Sequence, residues 1–324
     1  MREQVPRKHA QDKSAQPQRS ADARRHQTLV PCYHPIPAYL TPHGVVFTAR
    51  KGDDVLNKIH LPCGVCIGCR LKRASDWELR IMHEAQQYEE NSFVTLTYKR
   101  DALPPNASLC HDDYQRFMKR LRKRTGTPVR FYMCGEYGPT TERPHYHACL
   151  FNIAFTDQKP AGKSESGELF YESETLTKIW GHGKTTVQPL NNKTASYCAR
   201  YIMTKKLGKE NNYDKITEDG EIQKRRAEYA AMSLKPGIGH EWIKKYRKDV
   251  YTHDYVITKG EQRRPPKYYD KIQEKNHPER MEEIKEKRLK DAKKTHQDQT
   301  DERLAVRKQV TLARIQNLKR NLQS

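Results

Sequence analysis

The sequence predicts an α+β fold in which helices flank an antiparallel sheet. Two observations predict this class: short segments with strand-like patterning, and longer amphipathic segments with helical periodicity between them. In chain order they read strand, helix, strand, strand and then, after a polar segment, strand and helix. The two central strands are joined by a short turn, so a hairpin is expected inside the sheet.

Each element has its own signal. Aromatic and β-branched residues predict strands over 93–98, 129–135, 145–151 and 185–187. Helices are predicted over 71–87, 112–123 and 193–207, and the second of these has one apolar face opposite a face of Lys and Arg. The segment 157–167 is rich in turn-forming and polar residues, which predicts a surface insertion between two elements.

Composition divides the chain into three parts. Residues 1–28 contain almost no large apolar residue and predict a basic disordered arm. Residues 29–265 carry the recurring apolar pattern and predict one globular domain, which includes a group of cysteines. Residues 266–324 are dominated by Lys, Glu, Arg and Gln with few, spaced apolar positions, which is typical of a charged helical tail.

The charge excludes some classes of protein and favours others. With 61 Lys and Arg against 40 Asp and Glu, the net charge of +21 favours a polyanion partner, nucleic acid by default. No apolar run reaches the roughly 18 residues of a membrane-spanning helix, and the first thirty residues show no secretory signal. A reducing cytosol is therefore expected, so the 8 cysteines are predicted to be thiols or metal ligands.

A pair of histidines gives the most informative motif. His145 and His147 lie two apart on a predicted strand and so project from the same face, while Glu136 lies on the preceding strand of the hairpin. Two imidazoles and one carboxylate suit Mg²⁺ or Mn²⁺, and also Zn²⁺ or Ni²⁺. Three ligands with open positions are typical of a catalytic metal site. The alternative is two surface histidines that meet by chance.

A pair of tyrosines forms the second motif. Tyr197 and Tyr201 are four apart, so on a helix their phenols share one face, and Lys205 extends that row by another turn. A core-facing aromatic pair is the alternative, but the cationic residues Arg200 and Lys206 nearby argue against it. A phenol beside an ammonium group and a metal-polarised phosphate is equipped to attack phosphorus.

A cluster of cysteines predicts a structural metal. Cys63, Cys66 and Cys69 form two adjacent CxxC units on a turn leading into the first predicted helix. Zinc requires a fourth ligand, for which Cys32 is the first choice and His34 or His60 are alternatives. The continuation typical of bacterial ferredoxins is missing after the third cysteine, which argues against an iron–sulfur cluster. Inert thiols are the remaining alternative.

Basic side chains decorate the second and last predicted helices of the domain. They are expected to contact a DNA backbone, although the usual meaning of such a row is a solvated helix face. The Gly-Lys segments at 162–163 and 183–184 lack the earlier glycine of a Walker A motif, so no helicase activity is expected. The predicted DNA contacts are Arg116, Lys119, Arg120, Lys123, Arg200 and Lys206.

Taken in order, these motifs resemble those of the HUH endonucleases. Within that superfamily the chain is most similar to the rolling-circle replication initiators of the Microviridae, in particular the gokushovirus type, over about residues 32–255. The motifs that carry the resemblance are Thr95-Leu-Thr97-Tyr98, Pro62-Cys-Gly-Val-Cys-Ile-Gly-Cys-Arg70, Gly135-Glu-Tyr-Gly138, Arg143-Pro-His-Tyr-His147 and Tyr197-x-x-x-Tyr201.

The resemblance implies an RRM-like core and a specific reaction. A metal on the two histidines and Glu136 would polarise the scissile phosphate, and Tyr197 or Tyr201 would attack it, forming a 5'-phosphotyrosine and freeing a 3'-OH. The second tyrosine would then allow the circle to be closed. Lys205 stands four residues after Tyr201, where many family members place lysine three after a catalytic tyrosine, so its role and the order of the tyrosines stay open.

The implied partners are single-stranded DNA at the origin, a host helicase and a host DNA polymerase, in the cytoplasm of a bacterial host and away from membranes. The rival hypothesis is non-catalytic: a basic, zinc-containing protein that binds RNA or single-stranded DNA, in which the two histidines are structural ligands.

Overall fold

A computed structural model describes residues 31–50, 52–138, 140–164, 167–204, 213–216, 219–294 and 296–316, without the side chains at 201–204 and 296. The predicted arm at 1–28 and the end of the predicted tail at 317–324 lie outside the described residues. Within them, no helix combines the length and apolar character that crossing a membrane requires.

The chain alternates strands with helices. The strands are β1 (Ile36–Thr41), β2 (Gly44–Val46), β3 (Asn57–Leu61), β4 (Asn91–Thr97), β5 (Arg130–Tyr137), β6 (Pro144–Phe151), β7 (Gln158–Lys163), β8 (Leu169–Ser173), β9 (Thr185–Pro189), β10 (Lys215–Ile216), β11 (Ile222–Gln223), β12 (Tyr229–Met232), β13 (Val256–Thr258) and β14 (Glu261–Arg263). The α-helices are α1 (Ile67–Ala85), α2 (His111–Thr125), α3 (Glu174–Trp180), α4 (Asn192–Thr204), α5 (His240–His253), α6 (Lys267–Asn276), α7 (Pro278–Lys294) and α8 (Asp301–Gln316).

A seven-stranded antiparallel sheet forms the centre of the fold, in the order β12-β5-β6-β4-β9-β8-β7. This confirms the α+β class with flanking helices. The four predicted strands correspond to β4, β5, β6 and β9, and the predicted hairpin is the β5–β6 pair. Strand β6 lies between β5 and β4 and is buried at every position, which explains why its sequence shows no polar alternation.

The predicted surface insertion was wrong in its structure. Most of it forms β7, the edge strand of the central sheet, paired with β8. Asp157 fixes the start of this hairpin by accepting hydrogen bonds from the Ser173 hydroxyl at 2.6 Å and the Thr175 backbone N–H at 2.7 Å. An edge strand has little apolar surface to bury, so its composition resembles that of a loop.

Two apolar layers cover the two faces of the sheet, because neighbouring strand residues point in opposite directions. One layer joins α2 and α3 to Val94, Leu96, Met133, Tyr146 and Ala148. The other joins α1 and α4 to Phe93, Tyr132, Cys134 and Cys149. We call the second the α1/α4 face and the first the α2/α3 face.

Helix α2 shows why the amphipathic pattern was a good predictor. Its four apolar residues recur at helical spacing and are at most 2% exposed, and the helix ends at Gly126, which adopts a left-handed conformation with φ 66°. The Gly126 N–H donates to the Arg122 carbonyl oxygen at 2.9 Å, which is the usual C-terminal closure of a helix by glycine. The buried residues are Tyr114, Phe117, Met118 and Leu121.

The charged C-terminal segment is helical, and parts of it are packed. Tyr269, Met281 and Ile284 are buried in one cluster with Ile243 of α5 and Leu79 of α1. This cluster crosses the predicted boundary at residue 266, and the three-part division of the chain stays a prediction. Further along, α8 packs against the segment that carries the cysteines.

Candidate active site

Strand register brings the histidines and the glutamate together. In the β5–β6 pair, Glu136 lies directly opposite His145, and Cys134 lies opposite His147. The alternation of side chains then places all three candidate ligands on the α1/α4 face. Oε1 of Glu136 is 3.1 Å from Nε2 of His145 and 2.8 Å from Nε2 of His147. One atom from each residue lies within 4.8 Å of the others.

The second ring nitrogen of each histidine is also held. Nδ1 of His145 donates to the Arg143 carbonyl oxygen at 3.1 Å, so its Nε2 is left for a metal ion or a proton. Nδ1 of His147 is 3.0 Å from the Thr95 hydroxyl on β4. The His147 ring stacks on Phe93 at a centroid distance of 5.8 Å. Both rings are therefore fixed with Nε2 toward Glu136.

The electrostatics keep a negative charge at this point. Burial raises the pKa of Glu136, but its contacts with His147 and His145 outweigh burial and hold that pKa well below its usual range. Burial lowers the pKa of His145, and the hydrogen bond and charge of Glu136 reverse that effect and raise it. For His147, burial prevails over Glu136 and the pKa is lowered. Two imidazoles and a carboxylate, buried and held together, suit a divalent cation.

Helix α4 delivers a tyrosine to the same point. Asn191 precedes the helix, and its side-chain oxygen accepts hydrogen bonds from the N–H groups of Lys193 at 2.8 Å and Thr194 at 3.1 Å. The Tyr197 hydroxyl donates to Oε1 of Glu136 at 2.7 Å and lies 3.4 Å from Nε2 of His147. Metal-ligand candidates and nucleophile candidate are thus in direct contact.

The other residues predicted on or near α4 are placed less fully. Tyr201 lies one turn beyond Tyr197 in α4, but its side chain is outside the description, and Lys205 and Lys206 lie outside the described residues altogether. Arg200 is half-buried, and its Nε donates to the Ser196 carbonyl oxygen at 3.3 Å.

The predicted DNA contacts on α2 are not at this site. Arg116, Lys119, Arg120 and Lys123 are exposed, and the buried side of their helix packs on the α2/α3 face. Conversely, the contact of Thr95 with His147 was not predicted, although strand alternation from Thr95 would have placed its hydroxyl on the correct face.

The four predicted cysteines also come together. Their sulfur atoms lie within 4.8 Å of one another, with Cys32 as the fourth member beside Cys63, Cys66 and Cys69. Backbone N–H groups point at the sulfurs: Cys63 N–H is 3.2 Å from Sγ of Cys32, and Cys66 N–H is 3.3 Å from Sγ of Cys63. Of the two histidine alternatives, His34 instead has its Nε2 3.1 Å from Nζ of Lys308.

The thiols of this cluster differ in acidity. Burial raises the pKa of Cys66, but N–H and S–H donors around its sulfur outweigh burial and lower the pKa to about 7. Burial raises the pKa of Cys32 and of Cys69, and the neighbouring Cys66 charge raises that of Cys69 further. One thiolate forms readily, and the other thiols require a cation beside them to ionise. That behaviour fits a zinc ligand set.

The cluster ties three parts of the chain together. Gly68 at the start of α1 allows the N-terminal segment to approach, because a Cβ there would collide with the Pro31 carbonyl oxygen. Leu304 of α8 is 2% exposed and packs with Tyr33 and Cys66. The Tyr33 hydroxyl also lies 2.6 Å from the Thr311 hydroxyl.

The chain is similar in sequence to phage proteins of one kind. Residues 91–207 match the model of the replication-associated protein ORF2 family. Replication-associated protein VP4 of Bdellovibrio phage phiMH2K is 34% identical over 262 residues, which are 77% of this chain and 79% of that protein. Replication-associated protein ORF2 of Spiroplasma virus 4 is 32% identical over 257 residues, 72% of this chain and 75% of that protein. No solved structure matches the chain.

Proposed function

This chain belongs to the family of phage replication-associated proteins, and from that premise we propose that it is a site-specific, metal-dependent HUH endonuclease and ligase for single-stranded DNA. It starts and ends rolling-circle replication through a 5'-phosphotyrosine intermediate. The observation that carries the proposal is the Tyr197 hydroxyl, which contacts both Glu136 and His147. A phenol used only for packing has no need of a carboxylate and an imidazole at its oxygen.

Glu136, His145 and His147 hold Mg²⁺ or Mn²⁺ in this proposal. When bound, the ion neutralises and polarises the scissile phosphate. The chain's own residues then position the reaction. Arg143 and Thr95 fix the two imidazoles, and the carboxylate of Glu136 holds the Tyr197 hydroxyl by accepting its hydrogen bond.

The cleavage step exchanges one ester for another. The Tyr197 oxygen forms a bond to phosphorus and gives up its proton, while the bond from phosphorus to the 3'-oxygen breaks and that oxygen takes up a proton. The 5' end stays on tyrosine, and the free 3'-OH primes a host polymerase. Tyr201, one helical turn along α4, cuts the regenerated origin so that the new 3'-OH reverses the first ester and closes the circle.

The cationic residues and the cysteine cluster support this chemistry. Lys205 offsets charge at the phosphate, and Arg200 and Lys206 hold the strand beside α4. The cysteine cluster binds one Zn²⁺ as a structural clip between the N-terminal segment and α1. The four converging sulfurs and the N–H groups aimed at them support that assignment.

The site of action follows from the relatives, which are named replication-associated proteins of phages. We place the protein in the cytoplasm of a bacterial host, at a single-stranded origin. A host helicase supplies unwinding, because the chain contains no Walker A motif.

A covalent-adduct assay tests the proposal. The protein is incubated with Mn²⁺ and labelled oligonucleotides that tile the cognate genome, and a denaturation-resistant protein–DNA adduct is expected. Tyr197→Phe combined with Tyr201→Phe removes the adduct, as does His147→Ala, whereas Tyr171→Phe, a half-buried tyrosine of β8, leaves it intact. Absence of an adduct with every divalent ion and oligonucleotide supports the non-catalytic rival.

A further inference from the structure

We infer that the exposed side of α2, together with Lys178 of α3, binds the sugar-phosphate backbone of duplex DNA, at a surface separate from the active site. We call this surface the far-face strip. The inference rests on the proposed function for the identity of the DNA, which is the double-stranded region flanking the origin. The strip consists of Arg116, Lys119, Arg120, Lys123, Arg124 and Lys178.

The strip and the active site lie on opposite sides of the central sheet. Tyr114 and Phe117 of α2 pack in the layer that contains Tyr146, whereas His145 and His147, its neighbours on β6, point to the other face. A packed layer is roughly 10 Å deep and a helix roughly 10 Å across. DNA on the strip is therefore on the order of 20 Å from the bound phosphate in the active site, which is too far for one nucleotide to contact both.

The charge of the strip is available to a ligand. In the described part of the chain, Lys119, Lys123 and Arg124 form no ion pair with a carboxylate, whereas Arg116 pairs with Asp113 at 3.5 Å. Cations in the last turn of a helix complement its dipole, but Lys119 lies before the last turn of α2 and has no such role. Its side of the helix repeats cations about every 5.4 Å, one helical turn, along a line that a phosphate backbone can follow.

A cavity of about 410 Å³ opens where α2 and α3 meet, and Arg120, Lys123, Arg124 and Lys178 line it. Arg120 is fixed there, because its Nε and Nη2 donate to the carbonyl oxygens of Ile179 and Trp180, each at 2.8 Å. A concave site with a held guanidinium and flexible ammonium groups around it suits a phosphate group.

The partner is a duplex, because the strip has no surface on which bases could stack. Single-stranded DNA is held by aromatic side chains as well as by charge. The rings of α2 belong to Tyr114 and Phe117, which are both 0% exposed, and Trp180 at the end of α3 is also 0% exposed. Contacts to phosphates alone suit a duplex, whose bases are already stacked, and they carry no sequence preference.

The test compares two triple variants of the full chain by the salt dependence of their affinity for a labelled duplex of about 30 base pairs, roughly 100 Å long, without a divalent ion. The first variant combines Lys119→Gln, Lys123→Gln and Arg124→Gln. The matched control combines Lys287→Gln, Lys290→Gln and Lys293→Gln, which removes the same charge from exposed positions of α7. Thermal unfolding confirms that both variants are folded.

Three lost phosphate contacts reduce the slope of log K against log salt by about 2.7. Between 50 and 200 mM salt the wild type and the control are then expected to lose about 40-fold more affinity than the strip variant. The adduct yield of the strip variant on a short single-stranded oligonucleotide is expected to equal that of the wild type.

Two results would overturn the inference. One is a strip variant whose slope equals that of the control. The other is a strip variant that loses the single-stranded adduct in parallel with duplex affinity, which would assign the strip to the cleaved strand. If the wild type itself forms no adduct, the proposed nuclease function fails while the duplex measurement still decides the role of the strip.

Discussion

Replacing Thr95 by valine removes the hydroxyl that lies 3.0 Å from Nδ1 of His147 and keeps the shape of the side chain. We expect weaker metal binding, because a ligating Nε2 requires a hydrogen on Nδ1, and that hydrogen would lose its acceptor inside a site where His147 is 3% exposed. An unsatisfied buried polar group costs about 1–3 kcal/mol. At about 1.4 kcal/mol per tenfold, the affinity for Mn²⁺ is expected to fall by about 5- to 150-fold.

The assay is titration calorimetry with Mn²⁺, repeated as a metal titration of adduct formation. Thr97→Val is the matched control, because Thr97 lies on the same face of β4 opposite His145 and, among the described hydrogen bonds, its hydroxyl makes none to either histidine. We expect Thr95→Val to require more Mn²⁺ for half-maximal adduct and to recover near wild-type yield at saturation. Equal Mn²⁺ affinities for the two valine variants would refute the reasoning.

Three further predictions concern stability and assembly. Burial lowers the pKa of His83 from 6.5 to about 3, so between those values the unfolded chain binds a proton that the folded chain does not, and the free energy of unfolding falls as the pH falls. About 2 kcal/mol should be lost at pH 5, as measured by urea unfolding, and His83→Gln should abolish that part of the pH dependence. Glu84→Ala should destabilise the fold by about 3–5 kcal/mol, because it leaves the Arg130 guanidinium and the Gly239 N–H without their buried partner; an effect under about 1 kcal/mol in the same unfolding assay would contradict this. Removal of zinc by a chelator should speed hydrogen exchange in α8 and leave β6 protected, and unchanged exchange in α8 would mean that the cysteine cluster does not hold that helix.

The sequence predicted the local geometry of the site well. A period of two places His145 and His147 on one face, and a short hairpin brings Glu136 beside them; neither depends on distant parts of the chain. The helix that carries Tyr197 was also predictable from its own residues. What brings it to the histidines is the packing of α4 on β6, and its cationic flank was the only hint in the sequence.

The features that were not predicted depend on long-range pairing. Thr95 reaches His147 because β4 pairs with β6 in one register, and a shift of one residue would reverse its side chain. The basic side of α2 was visible as a pattern, but nothing within α2 states which face of the sheet it covers. Strand β7 was missed because a polar edge strand and a loop have similar compositions.

The central claim is that a tyrosine of α4 becomes covalently joined to DNA. The most direct measurement isolates the denaturation-resistant adduct formed with Mn²⁺, digests the protein and locates the modified residue by mass spectrometry. The account predicts a nucleotide phosphate on Tyr197 or Tyr201 in the wild type, and loss of the adduct with retained DNA affinity when both are phenylalanine. An adduct that persists in the double variant, or that maps to any other residue, would contradict it.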